Sequence, residues 1–293
     1  MSYIGRFAPS PTGPLHFGSL LAALASFLDA RAHQGEWLLR IEDLDPPREQ
    51  AGVKDQFPDI LEAFGLYWDG ELSFQSERLD HYQDALQQLI SQHHAYYCNC
   101  SRKQIIERCD NIVYDRHCLN NPPKDQQGCA VRVKSMDSLI SFRDMIQGPM
   151  AYNLNSTGDF VVFRRDGLFA YQLAVVVDDY LQGITHVVRG SDLLDETARQ
   201  IHLQQLLGYP TPSYAHIPVA TNAQGQKLSK QTFAKALNLA DPEQELLKAL
   251  QFLNLQPPKD LSCKSRHEIL NWAIEEWDIN KLPKTMGIAL GDN

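Results

Sequence analysis

RFAPSPTGPLHFGS, residues 6–19, joins a short strand to an apolar helix through a turn rich in proline. Proline has no backbone N–H and resists helix, so the turn before Leu15 is stiff and ends a strand over residues 3–8. Apolar residues recur with helical spacing over 20–30, and the first turn of such a helix leaves backbone N–H groups to hold a phosphate. The imidazole of His16 would add positive charge there. The turn therefore predicts a phosphate-binding site, with a purely structural turn as the alternative.

A buried strand is predicted over EWLLRI, residues 36–41, and it delivers Glu42, Asp43 and Asp45 to its carboxyl end. Open α/β sheets bind their ligands at this end of the strands. Carboxylates there suit an amine and not a phosphate. We interpret Asp43 and Asp45 as a solvated acidic loop, which leaves Glu42 as the candidate ligand for an amine.

Beyond this strand, further α/β elements are predicted, and from about residue 95 an irregular, cysteine-rich segment interrupts them. Asp178 and Asp179 are interpreted as groups that cap or solvate their helix. The predicted elements are helices over 49–64, disturbed at Pro58, and over 77–93; strands over 130–134 and 160–164; a helix from Tyr171 and a turn at Gly183; a strand over 184–189 and a helix from Ser191; a strand over 214–220; and short helices over 243–253 and 265–277.

The composition is typical of a folded protein, since 43% of the 293 residues are hydrophobic; the net charge is −9. The N-terminus shows no charged segment followed by an apolar core, and no apolar run is long enough to span a bilayer, so we expect a cytoplasmic protein without membrane contact. The negative charge gives no long-range attraction for nucleic acid. An RNA partner would therefore have to meet a local basic patch.

The cysteines predict a metal site. In a cytosolic chain, crowded cysteines indicate metal more than disulfides. Cys98 and Cys100 form a C-x-C pair, and Cys118 with either Tyr114 or His117 completes four donors for zinc. The alternative is a cluster of reduced thiols in a core. The crowded cysteines are Cys98, Cys100, Cys109, Cys118 and Cys129, with Cys263 apart.

KLSK, residues 227–230, lies in a polar loop after Gly225, where its ammonium groups can move onto a phosphate. Taken alone, two lysines beside a serine are typical of a solvated turn. Together with residues 6–19, however, the loop resembles a known pair of motifs. PSPTGPLHFGS resembles the HIGH-type signature of class I aminoacyl-tRNA synthetases, most closely that of the glutamyl members, and KLSK resembles their KMSKS loop.

The resemblance implies an ATP site. It implies that His16 and Gly18 contact the nucleotide, that Lys227 lies beside it, and that Lys230 neutralises charge as pyrophosphate leaves. His16 and Lys230 would be the catalytic residues, with ATP and Mg²⁺ as substrate and cofactor. Ser19 and Gln231 differ from the family pattern, and neither is assigned a catalytic role.

The resemblance also implies a glutamate site. A substrate with two carboxylates and one ammonium requires arginine forks and an acidic partner. The alternative for Arg189 is a strand-end salt bridge to Asp192 or Glu196. The positions that match glutamate-binding residues of glutamyl-tRNA synthetases are Arg6, Ala8, Ser10, Glu42, Tyr171 and Arg189.

The domain arrangement follows from the same comparison. We expect an α/β fold in which a Rossmann-like, doubly wound parallel sheet over 1–78 and 171–225 is split by an inserted acceptor and zinc module over 79–170. Residues 226–293 would hold the KMSKS-like loop, 227–231, and a small helical stem-contact-like domain. For the zinc ligands, the resemblance selects Cys98, Cys100, Tyr114 and Cys118, with His117 in reserve.

Only 63 residues follow Lys230, too few for the anticodon-binding region of a full synthetase. The chain is similar to short paralogues that activate L-glutamate as glutamyl-adenylate and transfer it to the queuosine base of tRNA(Asp). This similarity implies an anticodon stem-loop as partner, and we expect no oligomer. The alternatives are a shortened glutamyl-tRNA synthetase that charges the terminal adenosine, another HIGH-type nucleotidyltransferase, and a non-catalytic tRNA-binding paralogue.

Overall fold

A computed structural model of the chain describes residues 2–109, 113–137, 139–222, 224–227 and 235–290. The strands are β1 Ile4–Phe7, β2 Glu36–Ile41, β3 Ser73–Phe74, β4 Ala95–Cys98, β5 Ala130–Val133, β6 Leu139–Asp144, β7 Gly148–Asn153, β8 Phe160–Phe163, β9 His186–Gly190, β10 Ser213–Ile217, β11 Val219–Thr221 and β12 Gly287–Ala289. The helices are α1 Phe17–Ala32, α2 Phe57–Ala63, α3 Leu79–Ser91, α4 Arg102–Cys109, α5 His117–Asn120, α6 Tyr171–Leu181, α7 Leu194–Leu207, α8 Pro242–Phe252 and α9 Arg266–Glu276.

Parallel strands form the centre of the fold. β2 pairs with β1 on one side and with β3 on the other, and β9 pairs with β10, all in parallel. β9 lies beside β1, where the Thr185 backbone N–H donates to the Ile4 carbonyl at 2.9 Å. Helix α1 connects β1 to β2 and packs on β1, β2 and β9. The carboxyl ends of β1, β2 and β9 therefore meet at one edge of the sheet, where α/β proteins bind ligands.

Antiparallel strands occupy the chain between β3 and β9. β4, β5 and β8 form one small sheet, and β6 and β7 form a hairpin. The strands β4, β5 and β8 share a hydrophobic core with α3, α6 and α7, including Tyr82, Val162 and Leu203. The hairpin packs instead on β10 and α7, so this stretch of chain is attached to the parallel strands at more than one place.

The C-terminal elements pack on the first helix. α8 and α9 share the core of α1, and the Trp277 indole N–H donates to Asp29 Oδ1 at 2.8 Å. β12 then pairs in parallel with β11. The C-terminal stretch is therefore fixed to the parallel strands by a helical contact and by a strand pair. No helix in the described part of the chain is long and apolar enough to cross a membrane.

Three of the predicted elements were wrong in part. The helix predicted from Ser191 begins as α7 only at Leu194, because residues 191–193 form a 3-10 turn. The predicted helix over 49–64 is helical as α2 only from Phe57, because Pro58 occupies the first turn, where its missing N–H costs nothing. The predicted strand over 214–220 is two strands, since Pro218 separates β10 from β11 and each pairs with a different neighbour. The strand predicted over 36–41 is confirmed with its bounds.

Candidate active site

A cavity of about 440 Å³ opens at the carboxyl ends of β1, β2 and β9. Residues after β1, after β2 and at the end of β9 line it, together with the first residue of α6. This arrangement follows from the parallel pairing, which turns the same end of each strand toward the cavity. All six residues predicted to bind glutamate line it, and Lys227 does as well: Arg6, Ala8, Ser10, Glu42, Tyr171 and Arg189.

Arg189 at the end of β9 is 5% exposed and is held by neutral groups. Its Nε donates to His216 Nε2 at 3.0 Å, and its Nη2 donates to Thr197 Oγ1 at 2.8 Å and to the Leu193 carbonyl at 3.3 Å. Nη1 lies 3.4 Å from the Tyr171 hydroxyl. Within the described ranges, no carboxylate lies within salt-bridge distance of Arg189, so the predicted alternative of a strand-end salt bridge is wrong.

Arg6, in contrast, is already paired with a carboxylate. Its Nε donates to Asp179 Oδ1 at 3.2 Å, and Arg40 Nη2 lies 2.8 Å from the same oxygen. Arg40 also lies 3.4 Å from Glu42 Oε1 and 3.7 Å from Asp178 Oδ2. Burying a charge is costly unless it is paired, and these five groups form one paired cluster beside the cavity.

The interpretation of Asp178 and Asp179 as groups that cap or solvate their helix was wrong. Asp178 is fully buried on α6 and accepts hydrogen bonds from Gln75, Arg78 and Tyr82. Asp179 faces the two arginines under the cavity. The partners come from strands and helices more than 90 residues away, so no local pattern marks them.

The prediction that Asp43 belongs to a solvated loop was also wrong. It is 3% exposed and accepts from Lys54 at 2.7 Å and from the Ser76 backbone at 2.9 Å. Asp45 is partly buried and accepts from Arg48 and Arg164. Both carboxylates therefore fasten the loop after β2 to neighbouring segments, and neither is simply solvated.

Glu42 has an unusual electrostatic environment. Burial raises its pKa to about 7, against the opposing effects of Arg40 and Arg6. The side chain is therefore close to its titration midpoint at neutral pH. An ammonium group placed beside it would favour the ionised form and would pair with it.

The turn before α1 has the predicted helix-opening geometry. His16 is the N-cap of α1: the Ser19 backbone N–H donates to His16 Nδ1 at 3.3 Å, and the His16 N–H donates back to Ser19 Oγ at 3.4 Å. A Cβ on Gly18 would lie 3.1 Å from the imidazole ring, so glycine gives that ring room. A cavity of about 140 Å³ lies over this turn and shares Ser10 with the larger cavity.

A second chamber of about 600 Å³ adjoins the first and shares Ser10, Glu42, Tyr171 and Lys227 with it. Lys227 Nζ lies 2.6 Å from Asp192 Oδ2, and both residues line both chambers. The remaining residues of KLSK, among them Lys230, lie outside the described residues. Lys230 therefore stays a prediction.

The cysteine module brings three thiols together. The sulfur atoms of Cys98, Cys100 and Cys118 lie within 4.8 Å of one another, and the Tyr114 hydroxyl lies 3.3 Å from Cys98 Sγ and 3.5 Å from Cys100 Sγ. His117, the reserve ligand, is exposed and outside this group. The ligand atoms of a tetrahedral zinc site with bonds of about 2.3 Å lie about 3.8 Å apart. The donor set and its spacing therefore fit zinc.

The hydrogen bonds of the Cys98 thiol favour its ionised form. Burial opposes its ionisation, but the hydrogen bonds that it shares with Tyr114 and Arg132 outweigh burial and lower the thiol pKa below its ordinary value. Arg132 Nε lies 3.3 Å from Cys98 Sγ, and its guanidinium lies over the Tyr114 ring at 4.2 Å. Metals bind thiolates, so these contacts favour the ligating form.

Several residues that shape the cavity were missed by the sequence analysis. Arg40 stands in an apolar strand, and a charge inside such a strand is a signal of a buried partner. Thr197 and the pair of Asp144 and His216 carried no recognisable signal. Thr197 on α7 and His216 on β10 contact Arg189, and Asp144 on β6 contacts His216; only the tertiary structure brings these elements together.

Comparisons with known proteins agree with this geometry. The family model described as tRNA synthetases class I (E and Q), catalytic domain, matches residues 4–284. The chain is 51% identical over 290 residues to the glutamyl-Q tRNA(Asp) synthetase of Acinetobacter baylyi, covering 98% of this chain and 97% of that protein. It is 52% identical over 285 residues to the namesake protein of Thiobacillus denitrificans, covering 96% and 95%.

Solved structures show the same fold. The glutamate-tRNA synthetase of Elizabethkingia anophelis superposes with a TM-score of 0.83 at 26% identity, over 99% of this chain and 68% of that chain. The expected α/β synthetase fold is therefore confirmed, as is the resemblance to the glutamyl branch. The chain belongs to the glutamyl-Q tRNA(Asp) synthetase family and is a ligase of the class I aminoacyl-tRNA synthetases.

Proposed function

We propose that this protein activates L-glutamate with ATP and transfers the glutamyl group to the queuosine base of tRNA(Asp). One observation carries the proposal: two buried arginines and one buried glutamate surround a single cavity of about 440 Å³. Glutamate presents two carboxylates and one ammonium, and this set of protein charges complements it. The names of the similar proteins, glutamyl-Q tRNA(Asp) synthetases, support this proposal.

The two arginines have different roles in this proposal. Arg6 is neutralised by Asp179, whereas Arg189 is held by His216, Thr197 and a carbonyl. We therefore assign the side-chain carboxylate of glutamate to Arg189. Glu42 receives the ammonium group, with Ala8, Ser10 and Tyr171 closing the pocket around the substrate. Arg6 would have two roles. It would belong to the ion cluster that orients Glu42, and it would contact the α-carboxylate of glutamate, which is the reacting group.

Adenylate formation would occur where the cavity of about 440 Å³ meets the cavity of about 140 Å³ over the His16 turn. The α-carboxylate attacks the α-phosphate of ATP, and pyrophosphate leaves. The His16 turn and its helix N-terminus are proposed to hold the nucleotide with Gly18, while Lys227 and Lys230 would neutralise charge on the leaving group. Mg²⁺, when bound, would lower the charge of the phosphates. The protein contributes positioning and charge stabilisation in both steps.

In the second step, a hydroxyl of the queuosine side chain attacks the carbonyl of glutamyl-adenylate, and AMP leaves. We propose that the adjoining chamber of about 600 Å³ admits the base, because it opens beside the cavity that would hold the adenylate. Proteins read RNA most often through splayed, single-stranded bases. An anticodon stem-loop presents its bases in this form. We place the reaction in the cytoplasm, where tRNA is available.

We propose further that Cys98, Cys100, Tyr114 and Cys118 hold one structural zinc ion. Four protein ligands leave no open position for water, so the ion would close the module and take no part in catalysis. Within the predicted division of the chain, this module spans 79–170, and 226–293 would form a helical stem-contact-like domain. The protein would act as a monomer.

The amino acid is tested by ATP–pyrophosphate exchange with a panel of amino acids. We expect exchange with glutamate alone, because an arginine that is held by neutral groups favours a carboxylate over an amide. Equal exchange with glutamine would contradict the assignment of Arg189. No exchange with any amino acid would favour a non-catalytic tRNA-binding protein instead.

A further inference from the structure

A buried acid–histidine pair stands directly behind the cavity. Asp144, at the end of β6, and His216, on β10, are both fully buried in their side chains. His216 Nδ1 lies 2.6 Å from Asp144 Oδ2, and the other ring nitrogen, Nε2, accepts from Arg189 Nε at 3.0 Å. A series of hydrogen bonds therefore runs from the Asp144 carboxylate through the His216 imidazole to the Arg189 guanidinium, which lines the cavity.

The position of the imidazole proton follows from its partners. Backbone N–H groups of Ile146, Gln147 and His216 all donate to Asp144 Oδ1, which leaves Oδ2 to accept from the ring. Burial opposes the ionisation of Asp144, but its hydrogen bonds from His216 and the backbone lower the carboxyl pKa. Since an ionised carboxylate only accepts, the proton sits on Nδ1 and Nε2 presents its lone pair to Arg189.

The ring is neutral at neutral pH. Burial lowers the pKa of His216 to about 4, against the opposing hydrogen bond to Asp144, and the charge of Arg189 lowers it further. A neutral ring of this tautomer is a pure acceptor at Nε2. It can therefore hold an arginine without removing its charge, which a carboxylate in direct contact would neutralise.

We propose that the Asp144–His216 pair is a positioning device that fixes the guanidinium plane of Arg189 and thereby sets selectivity for a substrate carboxylate. The inference rests on the proposed glutamate site. Nε donates to His216, and Nη2 donates to Thr197 and to the Leu193 carbonyl. Nη1 lies beside Tyr171, which also lines the cavity, and is the nitrogen placed to meet a substrate. The orientation of this plane therefore decides whether Nη1 can reach a substrate carboxylate.

The pair also connects the antiparallel part of the chain to the amino-acid site. Asp144 belongs to the hairpin of β6 and β7, which lies within the stretch predicted as an insertion. Gln147 in the same hairpin donates to the His216 carbonyl at 2.9 Å. The hairpin thus supplies a residue that acts on substrate recognition through two others, without touching the cavity itself.

Asp144→Asn tests the proposal with little change of shape. Three backbone N–H groups point at Oδ1, so the amide oxygen must occupy that position and the NH₂ group must replace Oδ2. The ring must then accept at Nδ1 and carry its proton on Nε2, where it meets the Arg189 N–H. Two donors face each other, as in the wrong-tautomer variant of the serine protease triad.

For Asp144→Asn we expect the KM for glutamate in pyrophosphate exchange to rise about tenfold or more, by the usual cost of a buried unpaired group. The KM for ATP should stay unchanged, and the preference for glutamate over glutamine should fall. His216→Asn keeps a donor toward Asp144 but removes the acceptor for Arg189. It should give the same glutamate-specific rise.

His202→Gln is the matched control. His202 is another fully buried histidine, on α7, and its Nε2 lies 2.8 Å from the Lys134 carbonyl, away from Arg189. Its substitution should lower the melting temperature without a specific change in the KM for glutamate.

The outcomes separate the two levels of the argument. Wild-type protein that shows no glutamate-dependent exchange would refute the proposed function, and this inference with it. Wild-type exchange combined with an unchanged glutamate KM in both variants would overturn the positioning role alone. So would a rise shared equally by the KM for ATP, or loss of folding in both variants, since each would reduce the pair to a structural contact.

Discussion

Arg189→Ala perturbs the proposed glutamate site most directly. Arg189 is 5% exposed, so a substrate carboxylate meets it largely out of water. Removing one partner of a buried, hydrogen-bonded charge pair costs about 2 to 5 kcal/mol. Since about 1.4 kcal/mol corresponds to a factor of ten, kcat/KM for glutamate in pyrophosphate exchange should fall by roughly 30-fold to 4,000-fold.

The same substitution should also lower stability modestly. His216 and Thr197 lose their arginine partner and remain buried, which costs about 1 to 3 kcal/mol for an unsatisfied group. Thermal melting measures this effect separately from activity. Arg189→Lys should retain part of the activity, because lysine keeps the charge but not the fork of donors.

Arg199→Ala is the control for this experiment. Arg199, on α7, is partly buried and pairs with Glu196 at 2.8 Å, but it does not line the cavity. Its removal should leave the kcat/KM for glutamate within about twofold, as for a partly exposed pair. If Arg189→Ala retains wild-type kcat/KM, or loses activity only as far as Arg199→Ala does, the reasoning from the cavity is refuted.

Three further perturbations test the electrostatics and the metal. Arg40→Met should lower the free energy of unfolding by about 3 to 5 kcal/mol, measured by urea denaturation, because it leaves buried carboxylates unpaired; an unchanged midpoint would contradict the ion cluster. Burial raises the pKa of Glu42 from its ordinary 4.5 to about 7, so the free protein should lose stability as pH rises through this range. The ionised form of Glu42 binds the ammonium group, so the KM for glutamate should fall as pH rises through about 7. If the KM of Glu42→Gln depends on pH just as steeply, Glu42 is not the group that titrates. Elemental analysis should find one zinc ion per chain, which Cys98→Ser should lose while adenylate formation survives. The control Cys263→Ser, at an exposed cysteine, should keep the ion. Wild-type protein that contains no metal and folds normally would contradict the zinc proposal.

The sequence predicted those parts of the fold that depend on local patterns and short motifs. The strand before residue 8, the helix that follows the turn and the strand over 36–41 are marked by proline, by helical spacing and by an apolar run. The residues that follow these strands line one cavity because parallel pairing brings their ends together. Their roles in binding stay predictions.

Contacts between distant segments escaped prediction. Arg6 and Asp179 are 173 residues apart, and Asp144 and His216 are 72 apart, so nothing in the neighbouring sequence records that they pair. Without those partners, Asp179 was interpreted as a solvated helix residue and His216 was overlooked. β12 gave no strand signal of its own, because its three residues are extended by pairing with β11.

The acceptor of glutamate tests the central claim most directly. Radiolabelled glutamate, ATP and the protein are incubated with queuosine-containing tRNA(Asp), with the same tRNA after enzymatic removal of its terminal adenosine, with tRNA(Asp) that lacks queuosine, and with tRNA(Glu). We predict transfer to the first two and none to the others, since the base supplies the hydroxyl. Transfer that disappears with the terminal adenosine, or that proceeds without queuosine, would contradict the account and favour a shortened glutamyl-tRNA synthetase.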